Sequence, residues 1–129
     1  MQLTEYEALE AYAKMMNTLS VEPIRSLLDD GFVYESQAVL QPIESKQAFL
    51  DYMIPKLQTI ARGNATVYAE MGTVEAYGEK QPCVVIAQYD PENLIALVLA
   101  KVSNNKLQRI DLCVVPPPQA AQRSGEYPK

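Results

Sequence analysis

Apolar residues recur at three- and four-residue steps in the first part of the chain, and then the pattern changes to alternation. Ala8, Leu9, Tyr12, Met15, Met16 and Leu19 share one face of a predicted helix. Thr4 and Glu7 fit a capping box at its start, where hydroxyl and carboxylate satisfy reciprocal backbone donors. Ser20 reads as the next N-cap, and Pro23 is tolerated in a first turn. Ile24, Leu27 and Leu28 give this second helix a short stripe. Asp29-Asp30-Gly31 is expected to break it, with Gly31 as the left-handed closing residue. The spacing then predicts a short strand over 32–37. Phe32, Tyr34 and Ser36 point one way, and Val33, Glu35 and Gln37 the other. Pro42 forbids regular helix between 38 and 44. A third helix is predicted from Ser45 to about Arg62, stopped by Gly63-Asn64. Its apolar face is Phe49, Tyr52, Met53, Leu57 and Ile60, with a bend expected at Pro55.

Beyond Gly63 the period becomes two. Strands are predicted over 65–74, 83–89, 94–102 and 107–115. A polar turn over 75–82 contains Gly78, Asp90-Pro91-Glu92-Asn93 forms a second turn, and Ser103-Asn104-Asn105 a tight hairpin. Pro116-Pro117-Pro118 ends the sheet. The domain is therefore expected to span 1–115, with 116–129 as a polar, flexible, Pro-rich tail. Helices in front of an antiparallel meander predict an α+β fold. In it, three N-terminal helices pack in the concave face of a curved, mainly antiparallel sheet.

Composition narrows the partners. With 129 residues, 48% apolar and 21% charged, the chain is an ordinary globular domain. A net charge of −5 without a Lys/Arg cluster argues against nucleic acid and against anionic membrane surfaces. Apolar runs such as 94–100 are too short to span a bilayer. The start of the chain lacks a basic stretch followed by an apolar one, so a cytoplasmic protein is expected. Cys83 and Cys113 sit in apolar strands, where buried small hydrophobes are expected. The sequence has no histidine. That excludes Ser-His-Asp and Cys-His nucleophile systems and most zinc sites, and leaves acid–base chemistry to Asp, Glu, Tyr or Lys. No metal site or cofactor is expected; Asp29-Asp30 lacks the further oxygen ligands a hard cation needs.

The order helix, helix, strand, helix, meander, with LLDDGFVYESQ carrying the chain from second helix to first strand, resembles the nuclear transport factor 2-like superfamily over 4–115. This is the cone-shaped, cystatin-like fold of ketosteroid isomerases, scytalone dehydratases and polyketide cyclases. The resemblance implies a pocket between sheet and helices and a homodimer formed through the sheet. The ketosteroid isomerase general base, six residues after the first aspartate of the break, would fall on Glu35. Its first-helix tyrosine would fall on Tyr12 with a one-residue gap. Its second oxyanion donor would fall near Leu97 or Val98, where there is no carboxylate. Losing such a donor lowers rates by about a hundredfold or more. The dehydratases use histidine, which is missing.

Glu35 and Tyr12 are thus the candidate catalytic pair. Desolvation would raise the Glu35 pKa if the Val33–Glu35–Gln37 face looks into the cone. Val33, Tyr34, Tyr52, Met53 and Tyr89 are candidates for lining a pocket that takes a small apolar molecule. Arg109 and Asp111, two apart, are expected together on the convex face. Two functions remain open: a small-molecule-binding domain with proton-transfer chemistry, or a non-catalytic dimerisation or interaction domain with a vestigial cavity.

Overall fold

A computed structural model describes residues 2–38, 41–63 and 65–129. Helix α1 (Glu5–Thr18) starts on the expected capping box: Thr4 accepts from the Glu7 amide, and Glu7 from the Thr4 amide. It ends on Leu19 in the left-handed conformation. The next helix, α2 (Glu22–Arg25), is one turn only. Strand β1 (Leu28–Ser36) already begins at Leu28, so Asp29-Asp30-Gly31 lies inside a strand and does not close a helix. The Asp29 carboxylate accepts from the Gly31 amide at 2.9 Å, and the ladder shifts register between Leu28 and Val33. An Asp side chain bonding its own backbone two residues on makes the irregularity that the sequence suggests as a helix end.

After the short strand β2 (Ile43–Glu44), Ser45 caps helix α3 (Lys46–Arg62), which contains Pro55 and ends at Gly63. Of the expected Gly63-Asn64 stop, Asn64 lies outside the described residues. Then follow β3 (Val67–Ala76), β4 (Glu79–Gln88), β5 (Leu94–Ser103) and β6 (Lys106–Cys113). The β3–β4 turn is tighter than predicted. Tyr77 and Gly78 both have positive φ, and pairing runs from Ala76↔Glu79 upward. Asn104 and Asn105 take positive φ in the β5–β6 hairpin as expected.

The sheet order is β2-β1-β6-β5-β4-β3-β7, with β1 parallel to β6 and the other neighbours antiparallel. Helix α1 packs on β3, β4 and β5, and α3 packs on β1 and β2. This is the predicted α+β cone, with the helices in the concave face of a curved sheet. Alternation divides the sheet residues into two clusters. Met71, Val84, Ile86, Ala96, Val98 and Ile110 join the helices in the main core. Val74, Cys83, Val85, Leu97, Leu99 and Cys113 form a second island on the outer face.

The expected flexible tail takes a different course. Pro118–Ala120 makes a 3-10 turn against β5, Ala121 packs on the outer island, and β7 (Gln122–Arg123) pairs with the β3 edge. Beyond it, Met71 bonds Glu126 and Ser124 through the backbone. Asn17, near the end of α1, exchanges two hydrogen bonds of 2.8 Å with the Ala69 backbone and donates a third, also 2.8 Å, to the Pro128 carbonyl. The tail is held because β3 would otherwise be an open sheet edge, with unpaired amides available to it.

Candidate functional site

The concave side is filled by side chains. Tyr12, Met15, Phe32, Phe49, Met53 and Met71 are each at most 2% exposed. The Phe32 and Phe49 rings meet edge to face at 5.0 Å, Tyr34 lies 5.4 Å from Phe49, and Tyr52 lies 5.8 Å from Tyr34. Lys56 Nζ sits 5.3 Å from the Tyr52 ring centre and donates to its hydroxyl at 3.1 Å. Three of the predicted lining residues, Tyr34, Tyr52 and Met53, therefore lie together with Tyr12, the predicted catalytic tyrosine. Burial, reinforced by the Tyr34 and Tyr52 hydroxyls, holds the Tyr12 phenol well above its ordinary pKa. Burial and then Tyr52 raise Tyr34. Both are neutral phenols at physiological pH and weaker acids than free tyrosine. Five well-formed clefts lie among the described residues, and Tyr12, Phe32, Phe49 and Met53 line none of these five.

Glu35 is not among them. Strand β1 turns Phe32, Tyr34 and Ser36 inward and leaves Glu35 and Gln37 exposed on the opposite face. Glu35 and Tyr12 thus stand on opposite sides of the sheet and cannot act on one substrate atom. Val33 shares the Glu35 face and cannot line a surface together with Tyr34, its neighbour in the strand. Tyr89, in the β4–β5 turn with φ 71°, is 65% exposed. The decisive signal was present in the sequence: of two alternating faces, the one carrying two aromatics is the one that buries more area.

On the outer face, a cleft of about 420 Å³ is lined by Glu35, Gln37, Tyr77, Lys101, Arg109, Asp111, Leu112 and Cys113. Arg109 and Asp111 lie there together, as their spacing predicts. The Arg109 Nε is 3.0 Å from both Asp111 oxygens, and its Nη2 contacts the Glu35 carboxylate. The Asp111 and Glu35 carboxylates raise the Arg109 pKa, so the guanidinium stays charged. Register sets Glu35 opposite Asp111 and Lys101 opposite Arg109. Two cations and two carboxylates thus occupy neighbouring positions on three strands. Gln37 extends the β1 ladder with its side chain, accepting from the Val114 and Val115 amides at 2.6 and 2.8 Å.

A second polar cluster escaped the sequence reading. Glu70, on the outer face of β3, is 3% exposed. It accepts from Arg123 Nε and the Gly125 amide, both at 2.7 Å, and from Tyr127 at 3.3 Å. Arg123 also grips Glu92 at 2.6 Å and the Pro91 carbonyl at 3.2 Å. Among the described residues, no three Cys, Asp or Glu side chains are grouped to hold a metal ion, and no helix is long and apolar enough to cross a membrane.

No protein-family model matches the chain, and no curated protein matches its sequence. Solved structures do match. A nuclear transport factor 2-like protein of unknown function from Cytophaga hutchinsonii superposes with a TM-score of 0.58 at 12% identity, over 90% of this chain and 96% of that one. A candidate polyketide cyclase from Sinorhizobium meliloti matches with a TM-score of 0.58 at 11% identity, over 82% and 93%. A de novo designed protein with a curved β-sheet matches with a TM-score of 0.58 at 18% identity, over 85% and 86%. The chain has the nuclear transport factor 2-like fold. That a designed protein shares it underlines that the architecture alone specifies no activity.

Proposed function

We propose that this chain is a non-catalytic interaction domain that associates with a second copy of itself through the outer face of its sheet. The observation that carries this reading is the contrast between a cone filled by Tyr12, Phe32, Phe49, Met53 and Met71 and an outer face holding the charged cleft. Lys101 and Arg109 stand beside Glu35 and Asp111, so the same row on a copy turned by a two-fold axis presents carboxylates to cations. Isologous interfaces require such self-complementarity. Sedimentation velocity over a concentration series tests the reading. The wild type should associate, and Arg109→Glu should weaken association by about tenfold or more, because it sets like charges against each other. A wild type that stays monomeric throughout would sink the reading.

A second reading keeps a small, largely apolar molecule as the partner. It is favoured by a cleft of about 380 Å³ lined by Asn17, Thr66, Val67, Tyr68, Pro91, Tyr127 and Lys129. Size suits a small ligand. Thermal-shift screening of apolar carbonyl compounds against wild type and Tyr68→Ala would detect it. Equal shifts in both proteins would count against this cleft.

A further inference from the structure

We propose that residues 116–129 are a displaceable strap, and that its release from β3 opens the apolar island beneath it for docking on the same island of a second copy. The inference rests on the outer face being the association surface. Three observations carry it.

The island itself is the first. Val74, Cys83, Val85, Leu97, Leu99 and Cys113 face away from the helices, yet none is more than 5% exposed. The 3-10 turn and Ala121 cover them. Uncovered, they would form a contiguous apolar patch next to the Glu35–Arg109–Asp111–Lys101 row. An apolar centre beside a charged rim is the anatomy of an association surface.

The nature of the strap's grip is the second. Pro118 is the one residue of 116–129 that is fully buried. Ala121 adds a half-buried apolar contact, and the rest of its hold is polar: backbone bonds along β3, the Glu70–Arg123–Glu92 clasp, and Tyr6 donating to Glu126 at 2.9 Å. Water and salt compete with the exposed Glu92 and Glu126 contacts, so the buried Glu70–Arg123 pair is the contact on which closure of the strap turns.

The third is Gly72. A Cβ there would lie 2.8 Å from the Gln122 carbonyl oxygen, and 3.6 Å from Cys83 Sγ and Val85. The strap therefore crosses β3 at a position where only glycine lets it lie flat, beside the island it covers. A side chain at this point excludes the strap without touching the charged row.

Strap and second copy compete for one surface. Apparent association is then weakened by the fraction of molecules whose strap is closed, and removing the strap restores it. Cys83 and Cys113 report the opening. Burial pushes the Cys83 thiol up to about 12 and also raises Cys113, so both are poor nucleophiles while covered.

Full-length Gly72→Val and Arg123→Ser proteins, checked for folding by circular dichroism, are compared with wild type. Thiol labelling by a maleimide and sedimentation velocity are measured on each. In both variants labelling should accelerate at least tenfold and self-association tighten at least tenfold; Arg109→Glu added to either should reverse the second effect and not the first. Faster labelling with unchanged association would overturn the proposal while leaving the wild-type interface intact. So would labelling unchanged in two folded variants. If wild type and both variants are monomeric at every concentration, the association reading falls and the proposal with it. Arg123→Ser removes the guanidinium shared by the buried Glu70 and the exposed Glu92 and leaves Gly72 and the apolar island unaltered, so the comparison stands even if Gly72→Val does not fold.

Discussion

The two faces of the sheet are built from the same strands and come to opposite solutions. On the concave side, large side chains interlock: Phe32, Tyr34, Phe49 and Tyr52 form a continuous aromatic run against Tyr12 and Met53. On the outer side, smaller residues such as Val85, Cys83 and Cys113 are covered by a thin strap, and a charged cleft opens beside them. Among the described residues the concave side is packed as closely as protein interiors are. A lightly covered face keeps its options. The difference separates the two faces: the concave side contributes packing, and the outer face carries the cleft on which the association reading rests.

Mutations should separate the faces clearly. Phe49→Ala removes a fully buried ring from between Phe32 and Tyr34, and should lower unfolding free energy by about 3–5 kcal/mol in urea denaturation. A loss under about 1 kcal/mol would mean that the cone is loosely packed after all. The next effect is on pH dependence. A group whose pKa is higher folded than unfolded contributes fully below its ordinary value, and the contribution drains as pH rises toward the folded value. For Cys83 that window runs from 9.0 to about 12; Tyr12 and Tyr34 extend the loss upward from 10.0. Stability should therefore fall with alkali at about 1.4 kcal/mol per pH unit for each such group. Cys83→Ala should flatten the curve between pH 9 and 12; an unchanged slope would show that the thiol is not responsible. The smallest effect belongs to Glu35→Gln. Its ion pair with Arg109 is half-exposed, so stability should change by under about 1 kcal/mol. A loss comparable to Phe49→Ala would contradict the outward placement of Glu35.

Elements whose determinants are local were legible in the chain. The Thr4–Glu7 capping box, the start of α3 at Ser45 and the Asn104-Asn105 hairpin each depend on residues within a few positions of one another. Glu35 was harder because alternation defines two faces and leaves side-chain volume, Phe32 and Tyr34 against Val33, to say which is inside. Volume decides that, and the decisive aromatic partner, Phe49, lies on another element. The tail was harder still. Three prolines and a polar sequence suggest a free segment, but Arg123 and Gly125 find Glu70 at separations of 53 and 55 residues. Nothing in Glu70's neighbours within β3 announces a buried carboxylate with a distant guanidinium. The Gly31 error has a similar source: an Asp-Gly bulge and a helix end use the same residues.

Asn17 links the helix layer to the strap through a single side chain. Its amide donates to Ala69 and Pro128 while its oxygen accepts from the Ala69 amide, so it stands in for a strand residue at the sheet's edge. The Ala69 amide proton is therefore shielded by a side chain on α1, and one of that side chain's donors is shared with the tail. Its deuterium uptake becomes a site-specific clock for that corner of the molecule: slow while helix, edge and tail open together as one cooperative unit, faster if the tail departs alone and the Asn17 amide loosens with it.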